Sequence, residues 1–520
     1  MLLLEKKRGD TKMKYSGDFS VFEDIINEIM MVYEHDNRPW LIGFSGGKDS
    51  TLLTSLVYEA LLRLKQLGAP LNKKIYIVTS DTLLENPIIK TYMHETSKNI
   101  NKAAKRDRLP IQADIIYPDA NQTFWSKIIG LGYVTPEPPG FRWCTDRLKI
   151  KPMNKFVYER IQESKEVIIL LGIRKAESTS RKHSIESREI DGKILTPHND
   201  IENAYTYSPI ANVSNELVWP FLLKDEGKSP WGADLYYLYS LYQGETVNEE
   251  QSVLGQVDKD NLPSAGSSRF GCWCCTIVRE DKSMQRFIDS GVTELIPLKD
   301  FRSWLLSIRN NPDYREKKKR NGSVYRKADG SFGLGPFTLD ARNMILEKLL
   351  ELENETGFAL ITIDELREID RMWDLEGDLS RRRLVDTYSK IKGEKLPWDE
   401  YKVPLFDEET IGLIDTMADK HDIPAELIKT LIITVNENKH FANKTRLQKD
   451  FDKILNQNWL HFETIEAAFD SSDINSAKME RNYTDDKKRA PFESLVGNAK
   501  GKAFSVENNI HINNENEFER

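Results

Sequence analysis

The stretch that decides the fold reads Ser45-Gly46-Gly47-Lys48-Asp49-Ser50-Thr51. An apolar run over residues 40–44 precedes it, and apolar side chains recur at helical spacing after it. This pattern predicts a strand, a glycine turn and a helix. The glycines present bare backbone N–H groups, and the helix adds the positive end of its dipole. The turn is therefore predicted to bind an anion such as a phosphate.

The side chains of this loop fit the same prediction. Lys48 supplies a positive charge for phosphate, and Ser50 and Thr51 supply hydroxyl donors. Asp49 is unusual in a pure anion site and indicates a cation, Mg²⁺, beside the phosphates. The spacing differs from the Walker pattern G-x-x-x-x-G-K-[ST]. The alternative interpretation is an ordinary glycine turn that carries a lysine.

Length and composition set broad limits. A chain of 520 residues is too long for one core, so two or three domains are expected. Hydrophobic residues make up 39%, charged residues 30%, and no apolar run is long enough to span a bilayer. The first residues lack the apolar segment of a signal peptide, so we expect a cytoplasmic protein with no membrane partner. The net charge of -8 disfavours coating of nucleic acid by bulk charge but permits local basic patches.

Three further apolar runs, residues 75–80, 113–117 and 167–171, alternate with helical stretches. Alternation of this kind predicts the α/β class, with a doubly wound parallel sheet whose ligands lie at the carboxyl ends of the strands. Asp81 and Thr82 follow one strand end, where a carboxylate can reach adenosine or a metal, or can simply cap a helix.

A glycine and several basic residues follow the fourth predicted strand. Gly172, Arg174, Lys175 and Arg181 suit a second phosphate group, with Arg174 and Arg181 stabilising developing charge. The alternative is a solvated basic turn.

Composition divides the chain into four predicted regions. Residues 1–219 carry the α/β rhythm, and residues 220–345 form a module rich in Tyr, Trp, Gly and Pro that contains three cysteines. Residues 346–470 have helical apolar spacing, and the polar segment 471–520 is predicted to be disordered.

Only four cysteines occur, which excludes a disulfide scaffold in a chain of this size. Cys144 lies between Arg142 and Lys149, whose charges favour its thiolate. Cys272, Cys274 and Cys275 form a cluster with a metal-type C-x-x-C spacing. Together the four could hold an iron–sulfur cluster or a zinc ion. The alternative is a set of buried free thiols.

The loop at residues 45–51 resembles the PP-loop of ATP pyrophosphatases, and the order of the later motifs resembles the PAPS reductase branch of that superfamily. These motifs are Asp81-Thr82, Arg142-x-Cys144-Thr145 and Gly172-x-Arg174-x-x-Glu177-Ser178. The resemblance implies binding of ATP with Mg²⁺ and cleavage between the α and β phosphates. The implied nucleotide-binding residues are Ser45, Gly46, Gly47, Lys48, Asp49, Ser50, Thr51, Asp81, Thr82, Gly172 and Arg174. The implied catalytic residues are Lys48, Asp49, Cys144, Arg174 and Arg181.

Further motifs are similar to the DndC family, the sulfurtransferases of bacterial DNA phosphorothioate modification. They include Pro230-Trp231-Gly232, the stretch from Ser268 to Trp273, and the stretch from Gly335 to Arg342. The resemblance implies ATP-dependent replacement of a non-bridging DNA phosphate oxygen by sulfur. It also implies a 4Fe-4S cluster in preference to zinc, a cysteine desulfurase as sulfur donor, and other phosphorothioation subunits as partners. This chain departs from the family at Thr246 and Ala265, where members often carry cysteine.

Two alternative functions remain open at this stage. A PAPS or APS reductase of small molecules would need a mobile cysteine, and no cysteine follows Cys275. A non-catalytic DNA-binding subunit would not need the intact loop at residues 45–51.

DNA contact is predicted for two basic runs. The denser run comprises Arg315, Lys317, Lys318, Lys319, Arg320, Arg326 and Lys327, and the second comprises Arg381, Arg382 and Arg383. Runs of this kind either bind phosphates or form a solvated face.

Overall fold

The computed structural model describes residues 19–137, 142–177, 179–187, 190, 193–243, 271–278, 280–320, 333–439 and 444–457. The predicted disordered segment 471–520 lies outside these residues. So do Ser178, Thr246, Ala265, Ser268–Phe270, Arg326 and Lys327.

The chain forms two compact units. The first comprises Met1–Pro118, Cys144–Trp273 and Val278–Leu295, and the second comprises Asp119–Trp143, Cys274–Ile277 and Ile296–Arg520. The four region boundaries predicted from composition stay a prediction.

A six-stranded sheet forms the centre of the first unit. Its strands are β1 (Trp40–Gly43), β2 (Ile75–Ser80), β3 (Ile111–Ile116), β4 (Val167–Leu170), β5 (Thr196–Pro197) and β6 (Ala204–Tyr207). They lie in the order β3-β2-β1-β4-β6-β5. Every neighbouring pair is parallel except β5 with β6. The predicted α/β class, with its mostly parallel sheet, is confirmed.

The chain reverses direction across the sheet at β1, because β2 and β3 lie on one side of it and β4, β6 and β5 on the other. Open parallel sheets bind ligands at such a point, in the crevice outside the strand ends. The ends of β1 and β4, which are hydrogen-bonded neighbours, flank this crevice.

Both faces of the sheet are covered, which explains the continuous apolar strands. Trp40 and Ile42 of β1 face one apolar core, and Leu41 between them faces the other. All three side chains are buried. Burying each side chain of this size contributes about 1.5–3 kcal/mol.

In the described part of the first unit and at its boundary with the second, the chain forms ten helices. They are α1 (Ser20–His35), α2 (Lys48–Gln66), α3 (Pro87–Asp107), α4 (Trp143–Thr145), α5 (Lys151–Ser164), α6 (Thr179–Glu186), α7 (Asn215–Leu222), α8 (Lys224–Gly227), α9 (Leu235–Gln243) and α10 (Lys282–Asp289). Two of these helices, α2 and α3, begin near the carboxyl ends of strands, where ligands of such sheets bind. Helix α2 follows β1 directly, and α3 begins after Asn86, whose side chain accepts a hydrogen bond from the Ile88 N–H at 3.0 Å.

The second unit is helical, as predicted for the C-terminal region. Its helices are α11 (Ile296–Ile308), α12 (Leu339–Thr356), α13 (Ile363–Leu375), α14 (Arg383–Lys392), α15 (Glu408–Lys420), α16 (Ala425–Asn438) and α17 (Lys444–Leu455). Residues 119–137 pack into this unit through two fully buried tryptophans. The indole of Trp125 donates to the Leu360 carbonyl at 2.9 Å, and that of Trp373 donates to the Ile129 carbonyl at 2.7 Å. Among the helices of the described residues, none is both long and apolar enough to cross a membrane.

A tight backbone approach closes the loop before α12. Gly335 donates its N–H to the Glu316 carbonyl at 2.7 Å, and its own carbonyl accepts a hydrogen bond from the buried Arg315 side chain. A Cβ atom at position 335 would overlap the carbonyl of Lys318. Only glycine therefore fits between these two backbone segments.

We expect Gly335→Ala to lower the free energy of unfolding by about 1–3 kcal/mol, because overpacking forces the backbone apart. Gly412→Ala is the matched control, since it lies in α15 with no atom within 4 Å of the added methyl group. The free energy of unfolding of this control should rise by about 0.5–1 kcal/mol, because glycine within a helix is less stable than alanine. Urea unfolding of the two variants measures both. Equal effects would show that the approach at Gly335 is not a constraint.

Candidate functional site

The loop at residues 44–47 joins β1 to α2 at the centre of the sheet edge. Gly46 has a φ of +72°, a conformation that favours glycine. A Cβ atom there would lie 3.1 Å from Cγ of Met93. The N-cap of α2 is Gly47, which has no side chain with which to cap the helix. The first turn of a 19-residue helix therefore presents its N–H groups and its positive dipole end to the crevice.

The serines of the loop stabilise its shape. The hydroxyl of Ser50 donates to the Gly47 carbonyl at 2.9 Å and lies 3.2 Å from the hydroxyl of Ser45. Ser45 in turn accepts a hydrogen bond from the Gly47 N–H at 3.4 Å. Thr51 is fully buried under the loop. The loop is thus preorganised, and nucleotide contacts of these residues stay a prediction.

A tyrosine that the sequence did not single out touches the loop. The hydroxyl of Tyr242, in α9, accepts a hydrogen bond from the Lys48 backbone N–H at 3.2 Å. The ammonium of Lys48 lies 5.7 Å from the centre of the same ring. A phosphate oxygen that reaches this N–H must therefore compete with the phenol. A tyrosine within an apolar helix gives no sequence signal for this contact.

A buried ion pair joins the loop to the next strand. Nε of Arg174 donates to the carboxylate of Asp49 at 2.7 Å, and the Arg174 side chain is fully buried. The guanidinium also donates to the Asn215 side chain at 2.8 Å and to the Val213 carbonyl at 3.2 Å. Among the residues that the structure describes, its Nη2 atom has no hydrogen-bond partner. The structure thus brings together two residues predicted for Mg²⁺ and phosphate, and it pairs them with each other.

Gly172 brings β4 against the start of α2. A Cβ atom at this position would lie 3.3 Å from Cα of Ser50 and 3.4 Å from the carbonyl of Asp49. This close approach places Arg174, two residues on, beside Asp49. Arg181 lies in α6, and the placement of its side chain is outside the described residues.

Asp81 at the end of β2 is fully buried. One carboxylate oxygen accepts from the Leu83 N–H at 2.8 Å, and the other lies 2.8 Å from Nε2 of His94. Asp81 does not cap α3, because Asn86 does. Neighbouring Thr82 donates its hydroxyl to the Glu85 carboxylate at 2.7 Å. Burial is the main cause that raises the pKa of Glu85.

The cysteines are divided between the two units. In the first unit Cys144 lies in α4 and is half-buried, and Cys272 pairs its backbone with Glu85, with its sulfur 3.9 Å from the Thr82 hydroxyl. In the second unit Cys274 is fully buried, and the Cys275 carbonyl accepts from Nε of Arg302 at 2.6 Å.

Among the described residues, no group of three or more His, Cys, Asp or Glu could hold a metal ion. The predicted ligands Cys144, Cys272, Cys274 and Cys275 thus form no such group among the described residues. Ligation by them stays a prediction, and no chemical step below depends on it.

Comparison with known proteins supports the predicted domain type. Residues 39–277 match the family model of the phosphoadenosine phosphosulfate reductase domain. An uncharacterized protein of Methanocaldococcus jannaschii is 30% identical over 206 residues, which are 40% of this chain and 35% of that protein. The chain thus spans about a third, 35%, of the length of this curated relative. The predicted PAPS reductase-like domain is confirmed. Membership of the DndC family stays a prediction.

Two solved structures are similar at a low level. A PAPS reductase from Candida auris, in a phosphate complex, is 10% identical with a TM-score of 0.24, covering 42% of this chain and 91% of that one. The U34-tRNA thiolase NcsA from Methanococcus maripaludis, with its [4Fe-4S] cluster, is 14% identical with a TM-score of 0.26. The similarity covers 47% of this chain and 87% of the thiolase chain.

We expect Arg174→Ala to lower the free energy of unfolding by about 3 kcal/mol, because it removes a fully buried guanidinium and leaves the Asp49 carboxylate, which is only 14% exposed, without its partner. The matched control is Arg63→Ala. Arg63 pairs with Glu23 at 2.5 Å on the surface, where about 1 kcal/mol or less is expected. Urea unfolding measures both. If Arg174→Ala unfolds like the control yet loses nucleotide binding, Arg174 is a phosphate ligand and not the anchor of the loop.

Proposed function

We propose that this protein is an ATP-dependent sulfurtransferase that adenylates a DNA backbone phosphate and replaces a non-bridging oxygen with sulfur. The observation that carries the proposal is the glycine turn at the N-terminus of α2, in the Ser45–Thr51 loop of a PAPS reductase-like domain. The DNA substrate rests on the motif resemblance to the DndC family described above.

The first step uses the anion cradle. The loop N–H groups and Lys48 hold the β and γ phosphates of ATP, and their charge stabilises pyrophosphate as it leaves. A non-bridging oxygen of a DNA phosphate attacks the α-phosphorus, and the bond to the β-phosphate breaks. The products are an adenylated DNA phosphate and pyrophosphate. This step converts a poor leaving oxygen into part of AMP.

The second step transfers sulfur. The terminal sulfur of a persulfide, supplied by a cysteine desulfurase, attacks the activated DNA phosphorus, and AMP leaves with the oxygen. A second thiol then attacks the sulfur–sulfur bond. This attack leaves one sulfur on the phosphorus and links the two thiol sulfurs as a disulfide. The acceptor cysteine on this chain, the 4Fe-4S cluster and the other phosphorothioation subunits are part of the proposal.

Mg²⁺ beside the phosphates is also proposed. The Asp49 carboxylate donates oxygen ligands of the kind Mg²⁺ prefers, and one of its oxygens is already bound to Arg174. Mg²⁺ would neutralise phosphate charge there.

A second candidate function is reduction of a small sulfonucleotide such as PAPS. The match of residues 39–277 to a PAPS reductase domain favours it. The two functions differ in what they do to ATP, because a reductase releases no pyrophosphate from it.

We expect wild-type protein to release pyrophosphate from ATP when DNA is present, and to release AMP as well when a persulfide sulfur donor is added. Lys48→Ala should slow pyrophosphate release by about 100-fold or more, because it removes the side-chain charge that stabilises the leaving group. Lys98→Ala is the matched control, since Lys98 lies exposed on α3. A coupled pyrophosphate assay measures the rates. Formation of ADP and inorganic phosphate instead would contradict cleavage between the α and β phosphates.

The predicted DNA-contact run has other partners in part. Arg315 is buried and donates to the Gly335 carbonyl at 2.7 Å, and Arg320 pairs with Glu376. Lys318 lies 3.9 Å from Glu426, and burial lowers its pKa. Lys317 is exposed and Lys319 is half-buried. The exposure of Lys317 and the partial exposure of Lys319, rather than any lack of protein partners, are the reason that contact with DNA phosphates is proposed for these two lysines.

The second basic run is similarly engaged with acidic side chains. Arg381 lies 3.6 Å from Glu437, Arg382 lies 2.7 Å from Asp399, and Arg383 lies 2.6 Å from Asp340. These pairs compete with phosphate for the guanidinium groups, so this run is the weaker candidate for DNA contact.

We expect Lys317→Ala/Lys319→Ala to weaken DNA binding equally for all sequences, because phosphate contacts carry no sequence information. The slope of log K against log salt should fall by about 2, one unit for each lost contact. Lys420→Ala/Lys439→Ala removes two exposed charges elsewhere in the second unit and is the matched control. Fluorescence anisotropy across a salt series measures both. Identical slopes would remove this run from the proposal.

A further inference from the structure

We propose that His94 is a specificity-determining residue that binds a ribose hydroxyl of the nucleotide, with Asp81 as its positioning residue and Tyr117 as a stacking surface for the base. This inference rests on the proposed binding of ATP at the Ser45–Thr51 loop. It assigns a nucleoside subsite at the ends of β2 and β3, beside the phosphate cradle.

The carboxylate of Asp81 is already engaged by the protein. Its two oxygens face the Leu83 N–H and the His94 ring, each at 2.8 Å, and its side chain is fully buried. A buried carboxylate with these two partners orients a neighbouring ring better than it contacts a ligand. We therefore assign the adenosine contact that was predicted for Asp81 to His94 instead.

His94 presents one ring nitrogen. Nε2 faces the Asp81 carboxylate, so in the neutral ring Nε2 carries the proton and Nδ1 is the acceptor. Nδ1 makes no hydrogen bond with the described residues, and the side chain is 27% exposed. A solvent-accessible acceptor held in one orientation suits a hydroxyl donor.

The position of His94 relative to the loop supports this ligand. Its helix α3 contacts the loop through Tyr92 and Met93: a Cβ atom on Gly46 would lie 3.4 Å from Cε1 of Tyr92 and 3.1 Å from Cγ of Met93. The His94 ring itself contacts Asp81 at the end of β2, the strand that pairs with β1. A ribose follows directly on the phosphates of a nucleotide.

Tyr117 supplies the aromatic surface. It follows β3, is 46% exposed, and its ring centre lies 6.5 Å from that of His94. Base stacking on an exposed aromatic ring is worth about 1–3 kcal/mol by alanine substitution. Phosphate is a poor ligand for this pair, because it needs hydrogen-bond donors, and those lie at the N-terminus of α2.

The test compares ATP with 2′-deoxy-ATP and 3′-deoxy-ATP, using isothermal titration calorimetry on the full-length protein. Wild type should bind ATP about 10-fold more tightly than at least one deoxy analogue, because the analogue lacks the donor to Nδ1. His94→Gln can keep the contact with Asp81 by donating from its terminal amide, but it has no acceptor at the position of Nδ1. It should bind ATP and that analogue equally. His94→Asn, whose amide oxygen can take the position of Nδ1, should restore part of the preference.

Asp81→Asn tests the positioning role. It should reduce the preference in the wild-type background and change nothing in the His94→Gln background, because Asp81 acts through His94. His421→Gln, exposed in the second unit, should behave as wild type.

Three outcomes would overturn the inference: wild type binds all three nucleotides equally, His94→Gln discriminates as wild type does, or wild type binds no ATP. The last outcome also removes the proposed function. Discrimination through His94 without pyrophosphate release in the presence of DNA would leave the nucleoside subsite intact and overturn the proposed sulfurtransferase alone.

Discussion

The site depends on the buried ion pair between Asp49 and Arg174. It joins the first turn of α2 to the segment after β4 across 125 residues of chain, and Gly172 makes the close approach possible by having no side chain. The pair fixes the helix N-terminus at the point where the sheet reverses. The arrangement is costly to break, because Arg174 without Asp49 would be a fully buried charge that lacks its counter-ion. The anion cradle is therefore preorganised before any ligand arrives, as electrostatic catalysis requires.

Around this anchor, three strand ends contribute separate functions. The end of β1 supplies the backbone donors, the end of β2 supplies Asp81 and with it the orientation of His94, and the end of β3 supplies Tyr117. Tyr242 of α9 occupies one of the backbone donors through its hydroxyl. The crevice thus has a donor-rich part for phosphate and an acceptor-bearing, aromatic part suited to a nucleoside.

Much of this frame could be predicted from the sequence. Four apolar runs predicted β1 to β4, because strands buried on both faces must be continuously apolar. The loop could be predicted because its glycines and lysine are consecutive. Strands β5 and β6 were missed, since one is two residues long and contains Pro197, and the other alternates Ala and Thr with Tyr. Strands as short as these carry little periodic signal.

The pairings within the site could not be predicted. From the sequence, Arg174 is predicted to bind phosphate, because no neighbouring residue indicates that its partner is Asp49. His94 reads as one polar residue on an amphipathic helix, and only the fold brings it to Asp81. Arg315 opens the basic run that was predicted to contact DNA, yet its side chain is buried against backbone carbonyls. Tertiary contacts between distant segments decide all three, and a pattern within one segment does not contain them.

The central claim is that sulfur is transferred to DNA through an adenylated phosphate. Mass spectrometry of nuclease-digested host DNA, from cells with and without this gene, tests it most directly. The account predicts phosphorothioate dinucleotides in the presence of the gene, their loss on its deletion, and their return with wild-type protein but not with Lys48→Ala. Phosphorothioates present in both strains, or in neither, would contradict it.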